Sequence, residues 1–520
     1  MSLPDAPVIV VPATPTSNGG LHVGHLAGPY LAADIYARYQ RARDRFAVYT
    51  TCTDDSQTFV ATRAAKLGVT PSELVRDATA RIQQAFTALG TTLVGLPPVD
   101  DTYRRTVVDF VTAQHAAGVF ELRTVRFPFA RRAGVWMYDA MVSGTCPTCL
   151  AGSAGGACEA CGHPNNFDEL LDARYTLDPT DDVEYREVEI LVLPLERLRG
   201  KLTDYYDRHL PTWRPHARDL IAELMAGPLP DVPVTVPGDW GLPAPFPETP
   251  GQRLYPWLEA MPAVIYSTWW SARQLGVGGD RTDAWWLADT RPTIVYFHGY
   301  DNVFHWGMLD LAMLLSHPAG YATPAATFTN EFYELDRSKF STSRNHLISA
   351  TDLLDRVPRD LARFYLALTA PEFQRANFTE ADLQAVVAAR LVRPWNRLAT
   401  TLAALPIADG TVLPVSATGH DRARRLADRL RRHYDDERFS PSAVADAVAT
   451  HLERLADSPI EVGTAADVLA QLQTLLGYAA PVLVDVTGTL TAEGVRLQLQ
   501  DAPPDKVVMF RLPPLPTTFG

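Results

Sequence analysis

Four apolar residues held between prolines, Val8-Ile9-Val10-Val11, run into the turn Pro12 to Gly20 and then into His22-Val23-Gly24-His25. An unbroken β-branched run of this length fits a strand buried on both faces of a parallel sheet, so the chain is expected to be α/β. Gly19 and Gly20 allow a ligand to approach the backbone, and a helix is expected from His25 to Arg43 with Pro29 in its early turns. Histidines at a strand-to-helix junction face exposed N–H groups and the positive end of a helix dipole, a setting that suits phosphate.

The same pattern recurs downstream. Phe46 to Thr50 is expected to be a strand leading to Cys52-Thr53-Asp54-Asp55, and Thr293 to Phe297 one leading to His298-Gly299-Tyr300-Asp301, which puts carboxylates at the strand ends where open α/β sheets bind ligands. Thr70-Pro71-Ser72-Glu73 forms a capping box with proline at N1, opening an amphipathic helix (Leu74, Ile82, Phe86) that stops at Gly90.

A second short motif, Lys339-Phe340-Ser341-Thr342-Ser343, follows with 313 residues between it and His25. Of 47 basic residues only Lys66, Lys201, Lys339 and Lys506 are lysines. A lysine kept among serines in an arginine-rich chain fits a compact, mobile point charge for a phosphate that moves during reaction.

At 520 residues, 47% hydrophobic and 21% charged, the chain has the composition of a folded enzyme of more than one domain. It has no long apolar run, and Met1 to Asp5 lacks a signal-peptide pattern, so a cytoplasmic, membrane-free protein is expected. A net charge of -13 provides no global attraction to nucleic acid, so a nucleic-acid partner would require a local basic surface.

Cys146-Pro147-Thr148-Cys149 and Cys158-Glu159-Ala160-Cys161 are two CxxC knuckles in a chain with one other cysteine, Cys52. Two such knuckles suit a closed, structural four-thiolate zinc site; a pair of disulfides is the alternative, disfavoured in a cytoplasmic protein.

Taken in order, these segments resemble methionyl-tRNA synthetases, a class I aminoacyl-tRNA synthetase family, over roughly residues 7 to 480. His22 and His25 resemble its HIGH motif, Lys339 to Ser343 its KMSKS loop, and the four cysteines its zinc knuckle. Asp239 to Pro245 resembles the segment re-entering the catalytic fold, Leu254 to Ala260 the amino-acid pocket strand, and Asp352 to Leu368 with Asn377-Phe378-Thr379 the entry to a helical bundle. The resemblance implies an α/β Rossmann-type catalytic domain with a zinc-bearing connective insertion, followed by an α-helical bundle. It divides the chain into catalytic halves at 1–115 and 238–330, the insertion at 116–237, a KMSKS-like and stem-contact region at 331–376, an anticodon-binding-like bundle at 377–482 and a tail at 483–520.

The resemblance also implies a chemistry. An amino-acid carboxylate attacks the α-phosphorus of ATP, pyrophosphate leaves, and the acyl group passes to tRNA. Positioning and charge stabilisation suffice for this, without a protein nucleophile. His22, His25 and Lys339 would serve the triphosphate and Gly24, Gly299, Asp301, Ser341 and Ser343 would contact ATP, with Mg2+ arriving on the nucleotide. Asp55, or its neighbour Asp54, would anchor the substrate ammonium, and Ala13, Thr14, Trp257, Ala260 and His305 would complete the amino-acid site.

The chain also departs from the family pattern. Thr342 replaces the second KMSKS lysine, and Tyr300 replaces the lysine of the GKD segment. Thr14-Pro15-Thr16 stands where the family has Leu-Pro-Tyr, and Met261 and Val264 where it has Pro and Tyr. Asn396 matches an anticodon-reading asparagine, Thr400 falls where the partner arginine is expected, and no Pro-Trp follows Pro394-Trp395, so anticodon determinants are partly missing. The arginine-rich run from Arg422 to Arg432 suits either a solvated helix face or a tRNA-facing surface. The tail, Pro503 to Pro516, is expected to be extended. Besides tRNA charging, two alternatives stay open: tRNA-independent transfer of the activated amino acid, methionine or another, to a small-molecule or protein amine or thiol in a biosynthetic pathway, and a non-catalytic nucleotide- or tRNA-binding relative.

Overall fold

The computed structural model describes residues 4, 6–339, 347–497, 499 and 505–519. The chain divides into two compact units: Met1–Gly20, Val48–Gln84 and Leu93–Asn330 form one, and Leu21–Ala47, Ala85–Thr92 and Glu331–Gly520 the other.

The first unit is built on a four-stranded sheet of β1 (Val8–Pro12), β2 (Ala47–Tyr49), β3 (Thr293–Gly299) and β4 (Ala326–Asn330), in the order β4-β3-β1-β2. β1 runs parallel to β3, pairing Val8 with Thr293 through Pro12 with Phe297, and β3 runs parallel to β4. Val8, Ile9, Val10 and Val11 are fully buried, as a two-faced apolar strand requires. The insertion hangs on a long antiparallel pair, Glu121–Ala130 against Val183–Pro194, and carries a small three-stranded sheet, Gly152–Ala154, Val142–Thr145 and Leu171–Tyr175.

Two local expectations differ from the structure. The helix expected over 25–43 is broken: π-type geometry runs from Leu26 to Tyr30, with Gly28 outside helical space at ψ -117, and α1 is Leu31–Ala42. Pro29 has no N–H to continue the ladder and restricts the residue before it, and glycine absorbs the kink. The Leu254 to Ala260 segment, expected as a strand, is a strand only at Arg253–Leu254. Pro256 then occupies an N1/N2 position of a helix, so Trp257 and Ala260 lie on its first turns. The capping box is present: the Thr70 N–H donates to Glu73 Oε2 at 2.9 Å and the Glu73 N–H to Thr70 Oγ1 at 3.3 Å, opening α2 (Pro71–Leu89), and Gly90 follows at φ +68.

The second unit is largely helical. Ala350–Arg356 and Arg359–Leu368 lead to α3 (Arg393–Ala404), Ala417–Arg432, Pro441–Asp457 and Ala465–Ala479. It contains a fully buried ion pair, with Arg363 Nη2 2.7 Å from Asp34 Oδ2 and both side chains 0% exposed. Of the proline-rich stretch expected to be extended, Pro503 and Pro504 lie outside the described residues, Lys506–Val508 is a strand paired antiparallel with Val412–Pro414, and no helix follows it among the described residues; helix Val484–Ala492 precedes the stretch. No helix among the described residues is long and apolar enough to cross a membrane.

Candidate active site

Within the first unit, the loops leaving β1 and β2 meet. Thr16 pairs with Asp54 in an isolated parallel bridge, the Asp54 N–H donates to the Pro15 carbonyl at 3.0 Å, and the Ser17 hydroxyl donates to Asp55 Oδ1 at 2.7 Å. Ala13 extends the strand pairing, its N–H donating to the Phe297 carbonyl at 2.8 Å, and Thr14 follows it into the loop. Burial raises Asp54 well above the usual carboxylate range, and Glu259, Asp55 and Asp139 add to the rise; Asp55 is raised by burial, against which the Ser17 and Thr53 hydroxyls act.

Trp257 lies over His305 with ring centroids 3.5 Å apart and an interplanar angle of 7°. His305 is buried, and burial depresses it to about 3, so the ring is neutral at physiological pH. Ala260 is buried one turn along the same helix. Together these present a flat, uncharged aromatic surface in the unit that holds Asp55. Glu259, not singled out from the sequence although it sits between Trp257 and Ala260, is buried with its Oε1 accepting from the Tyr103 hydroxyl at 2.6 Å, and burial lifts it to about 7.

At the end of β3, a Cβ on Gly299 would lie 2.5 Å from Asp301 Oδ1, so a larger residue there would displace that carboxylate, and Asp301 accepts from Asn302 Nδ2 at 3.1 Å. Tyr300, in place of a lysine, stacks on His216 at 3.6 Å, and its hydroxyl donates to the Cys161 carbonyl at 3.2 Å. This position serves packing against the insertion.

The four cysteine Sγ atoms all lie within 4.8 Å of one another, with Cys146–Cys161 at 3.8 Å and Cys149–Cys158 at 3.6 Å. Disulfide sulfurs would sit about 2.04 Å apart. The observed spacing matches the edge of a thiolate tetrahedron about a metal with bonds of about 2.3 Å. The two knuckles share a turn: the Leu150 N–H donates to the Cys146 carbonyl and the Gly162 N–H to the Cys158 carbonyl, with Leu150 at φ +62 and Gly162 at φ +76. A Cβ at Gly162 would overlap Leu220, so that turn requires glycine twice over.

Within the second unit, the backbone around His22 to His25 pairs with residues 348–350, which come a few positions after the second motif. The Val23 N–H donates to the Ile348 carbonyl at 3.1 Å, the Ala350 N–H to the Leu21 carbonyl at 2.9 Å, and His22 bridges to Ser349. The His22 and His25 rings stack at 3.7 Å, and the His22 N–H donates to His25 Nδ1 at 3.2 Å; Gly24 lies between them. Lys339 ends a two-residue strand paired with Glu334, while Ser341 and Ser343 lie outside the described residues. Asn396, the anticodon-determinant match, has both ends of its amide engaged by the tail: Nδ2 donates to the Leu515 carbonyl at 2.9 Å and Oδ1 accepts from the Leu515 N–H at 2.8 Å. The neighbouring Trp395 Nε1 donates to the Pro513 carbonyl at 2.8 Å.

Residues 8–401 match the family model for tRNA synthetases class I (M). The chain belongs to this family. It is 29% identical to the methionine--tRNA ligase of Roseiflexus sp. over 81% of its own length and 72% of that protein, and 32% identical to that of Porphyromonas gingivalis over 72% of its length and 55% of that protein. The Mycobacterium tuberculosis methionyl-tRNA synthetase bound by methionyl-adenylate shares its fold at a TM-score of 0.72 and 18% identity, with 98% of this chain and 99% of that one covered. The chain is thus an adenylate-forming aminoacyl-tRNA ligase of the methionyl type, with an α/β catalytic part, a four-cysteine insertion and a helical C-terminal part. These relatives favour neither the tRNA-independent nor the non-catalytic alternative.

Proposed function

We propose that this ligase activates methionine and charges it onto tRNA in the cytoplasm. The observation that carries this reading is the neutral Trp257–His305 stack in the unit that holds Asp55: a flat apolar surface suits an unbranched thioether, and a carboxylate suits the α-ammonium. Ala13, Thr14 and Ala260 complete the amino-acid site. His22, His25 and Lys339 stabilise charge on the triphosphate, with Gly24, Gly299, Asp301, Ser341 and Ser343 contacting ATP and Mg2+ accompanying it. The substrate carboxylate oxygen bonds to the α-phosphorus as the bond to pyrophosphate breaks; a terminal ribose hydroxyl of tRNA then attacks the carbonyl carbon and AMP leaves. Cys146, Cys149, Cys158 and Cys161 hold structural Zn2+, and the domain boundaries are those expected from the sequence. Charging total tRNA with each amino acid in turn tests this: methionine should be the amino acid esterified, and a different one would overturn the assignment.

A further inference from the structure

Asp139 stands apart from every role assigned above. It is 2% exposed, lies in the insertion, and adopts the left-handed φ of +46, a conformation its neighbours must enforce. Three of them do. The Ala140 N–H donates to Thr58 Oγ1 at 2.9 Å, the Gly155 N–H donates to the Asp139 carbonyl at 3.0 Å, and a Cβ on Gly155 would come within 2.7 Å of the Asp139 nitrogen. The fold therefore holds a carboxyl group, in a strained conformation, against two glycines that leave space for it.

The two oxygens of that carboxyl face different tasks. Oδ1 accepts from the Tyr255 hydroxyl at 2.8 Å, and Tyr255 is the N-cap of the helix whose second residue is Trp257. The point where a Gly156 Cβ would sit is 2.8 Å from Asp139 Oδ1 and 3.5 Å from Trp257 Nε1, so the carboxyl and the indole flank the same glycine. Among the described residues Oδ2 has no hydrogen-bond partner, and neither do Asn165 Oδ1 and the Tyr138 hydroxyl. These two residues are 4% and 5% exposed, and all three line one cavity of about 20 Å3. That is room for a single water, which needs about 10–15 Å3 and two to four polar partners. A water can donate to the two acceptor oxygens and accept from the phenol, which matches this set.

We propose that Asp139 is a positioning residue for amino-acid binding: with Tyr138 and Asn165 it encloses one water, and through the Tyr255 hydroxyl it holds the helix end that presents Trp257. The metal-bearing insertion is thereby tied to the amino-acid site by a buried polar chain running from Asn165 through the water and Asp139 to Tyr255. The proposal rests on the amino-acid role given to Trp257. It distinguishes itself from mere structural support because it requires amino-acid binding to suffer while the nucleotide site does not.

The test is methionine- and ATP-dependent pyrophosphate exchange by full-length D139A, Y255F and D139N, alongside a high-resolution crystal structure of the wild type. D139A and Y255F should each raise the KM for methionine about tenfold, the scale of one hydrogen bond to a charged group, with kcat and the KM for ATP within about twofold of wild type. D139N tolerates the left-handed backbone and keeps an oxygen for Tyr255, so it should restore most of the affinity. Methionine KM values unchanged in both D139A and Y255F would overturn the proposal, as would equal rises for methionine and ATP. The wild-type density should show one water touching Asp139, Asn165 and Tyr138; a dry cavity would overturn the enclosed-water part. Failure of the wild type to exchange with methionine would instead count against the substrate assignment, and the crystal structure would still decide the water.

Discussion

Removing Arg363 should cost the second unit a large share of its stability. Its guanidinium makes four buried hydrogen bonds: Nε to the Val482 carbonyl at 3.0 Å, Nη1 to the Leu89 carbonyl at 3.0 Å, and Nη2 to Asp34 Oδ2 at 2.7 Å and the Pro481 carbonyl at 2.6 Å. Breaking a buried pair by deleting one partner costs about 3–5 kcal/mol, because the other charge stays buried. In R363A, Asp34 keeps Arg38 at 2.8 Å and the Thr92 N–H at 2.6 Å, which places the loss near the lower end, about 3 kcal/mol. In D34A the buried guanidinium keeps only carbonyls, which places the loss nearer about 5 kcal/mol. A double-mutant cycle followed by urea unfolding should find the two losses strongly non-additive. The pH dependence has a fixed sign. Burial raises the Asp34 pKa, but Arg363, Arg38 and the Thr92 N–H outweigh it and leave the carboxyl below its usual range. Its contribution is therefore present above the unfolded value of about 3.9 and is lost as pH falls through the lower folded value, and D34N should lack that acid step. Losses under about 1 kcal/mol for both R363A and D34A, typical of exposed pairs, would refute the reasoning.

Three further outcomes follow from the site and its surroundings. Protein purified without chelator should contain one zinc per chain by metal analysis, and C149S should lose it, since four thiolates close the coordination shell; full metal content in C149S would exclude the site. Ending the chain at Arg511 removes the Pro513 and Leu515 partners of Trp395 and Asn396 while leaving the Arg511–Asp409 contact at 2.7 Å. Binding of a stem-loop RNA with a CAU loop should then tighten about tenfold by fluorescence anisotropy, the scale of one bidentate amide–base contact, and unchanged affinity would show that freeing the Asn396 amide does not help RNA binding. Glu259, lifted to about 7 by burial, keeps its proton in the fold while the unfolded chain loses it above about 4.3, so stability should fall as pH rises between these values and E259Q should flatten that slope in urea titrations.

What could be read from the sequence was what is encoded locally. The Val8–Val11 run, the Thr70–Glu73 capping box and the paired CxxC knuckles each carry their physics within a few residues, and each is present in the structure. Properties set by distant partners were not legible. The resemblance of Leu254 to Ala260 to a pocket strand places Trp257 on a strand, whereas Pro256 opens a helix there. Glu259 and Asp139 had no spacing signal, since burial among residues far away in the chain is what lifts each of these carboxyls to about 7. Tyr300 read as a missing cation, whereas its ring and hydroxyl pack against His216 and Cys161. Asn396 matched a base-reading position, but that its amide is taken up by residue 515 depends on a tail 119 positions away.

The most direct test of the account is ATP–pyrophosphate exchange with each of the twenty amino acids, without tRNA, for the wild type and W257A. Methionine-dependent exchange by the wild type, with the KM for methionine raised in W257A and the KM for ATP little changed, is the predicted result. Exchange with no amino acid, or exchange with another amino acid that W257A leaves untouched, would contradict it.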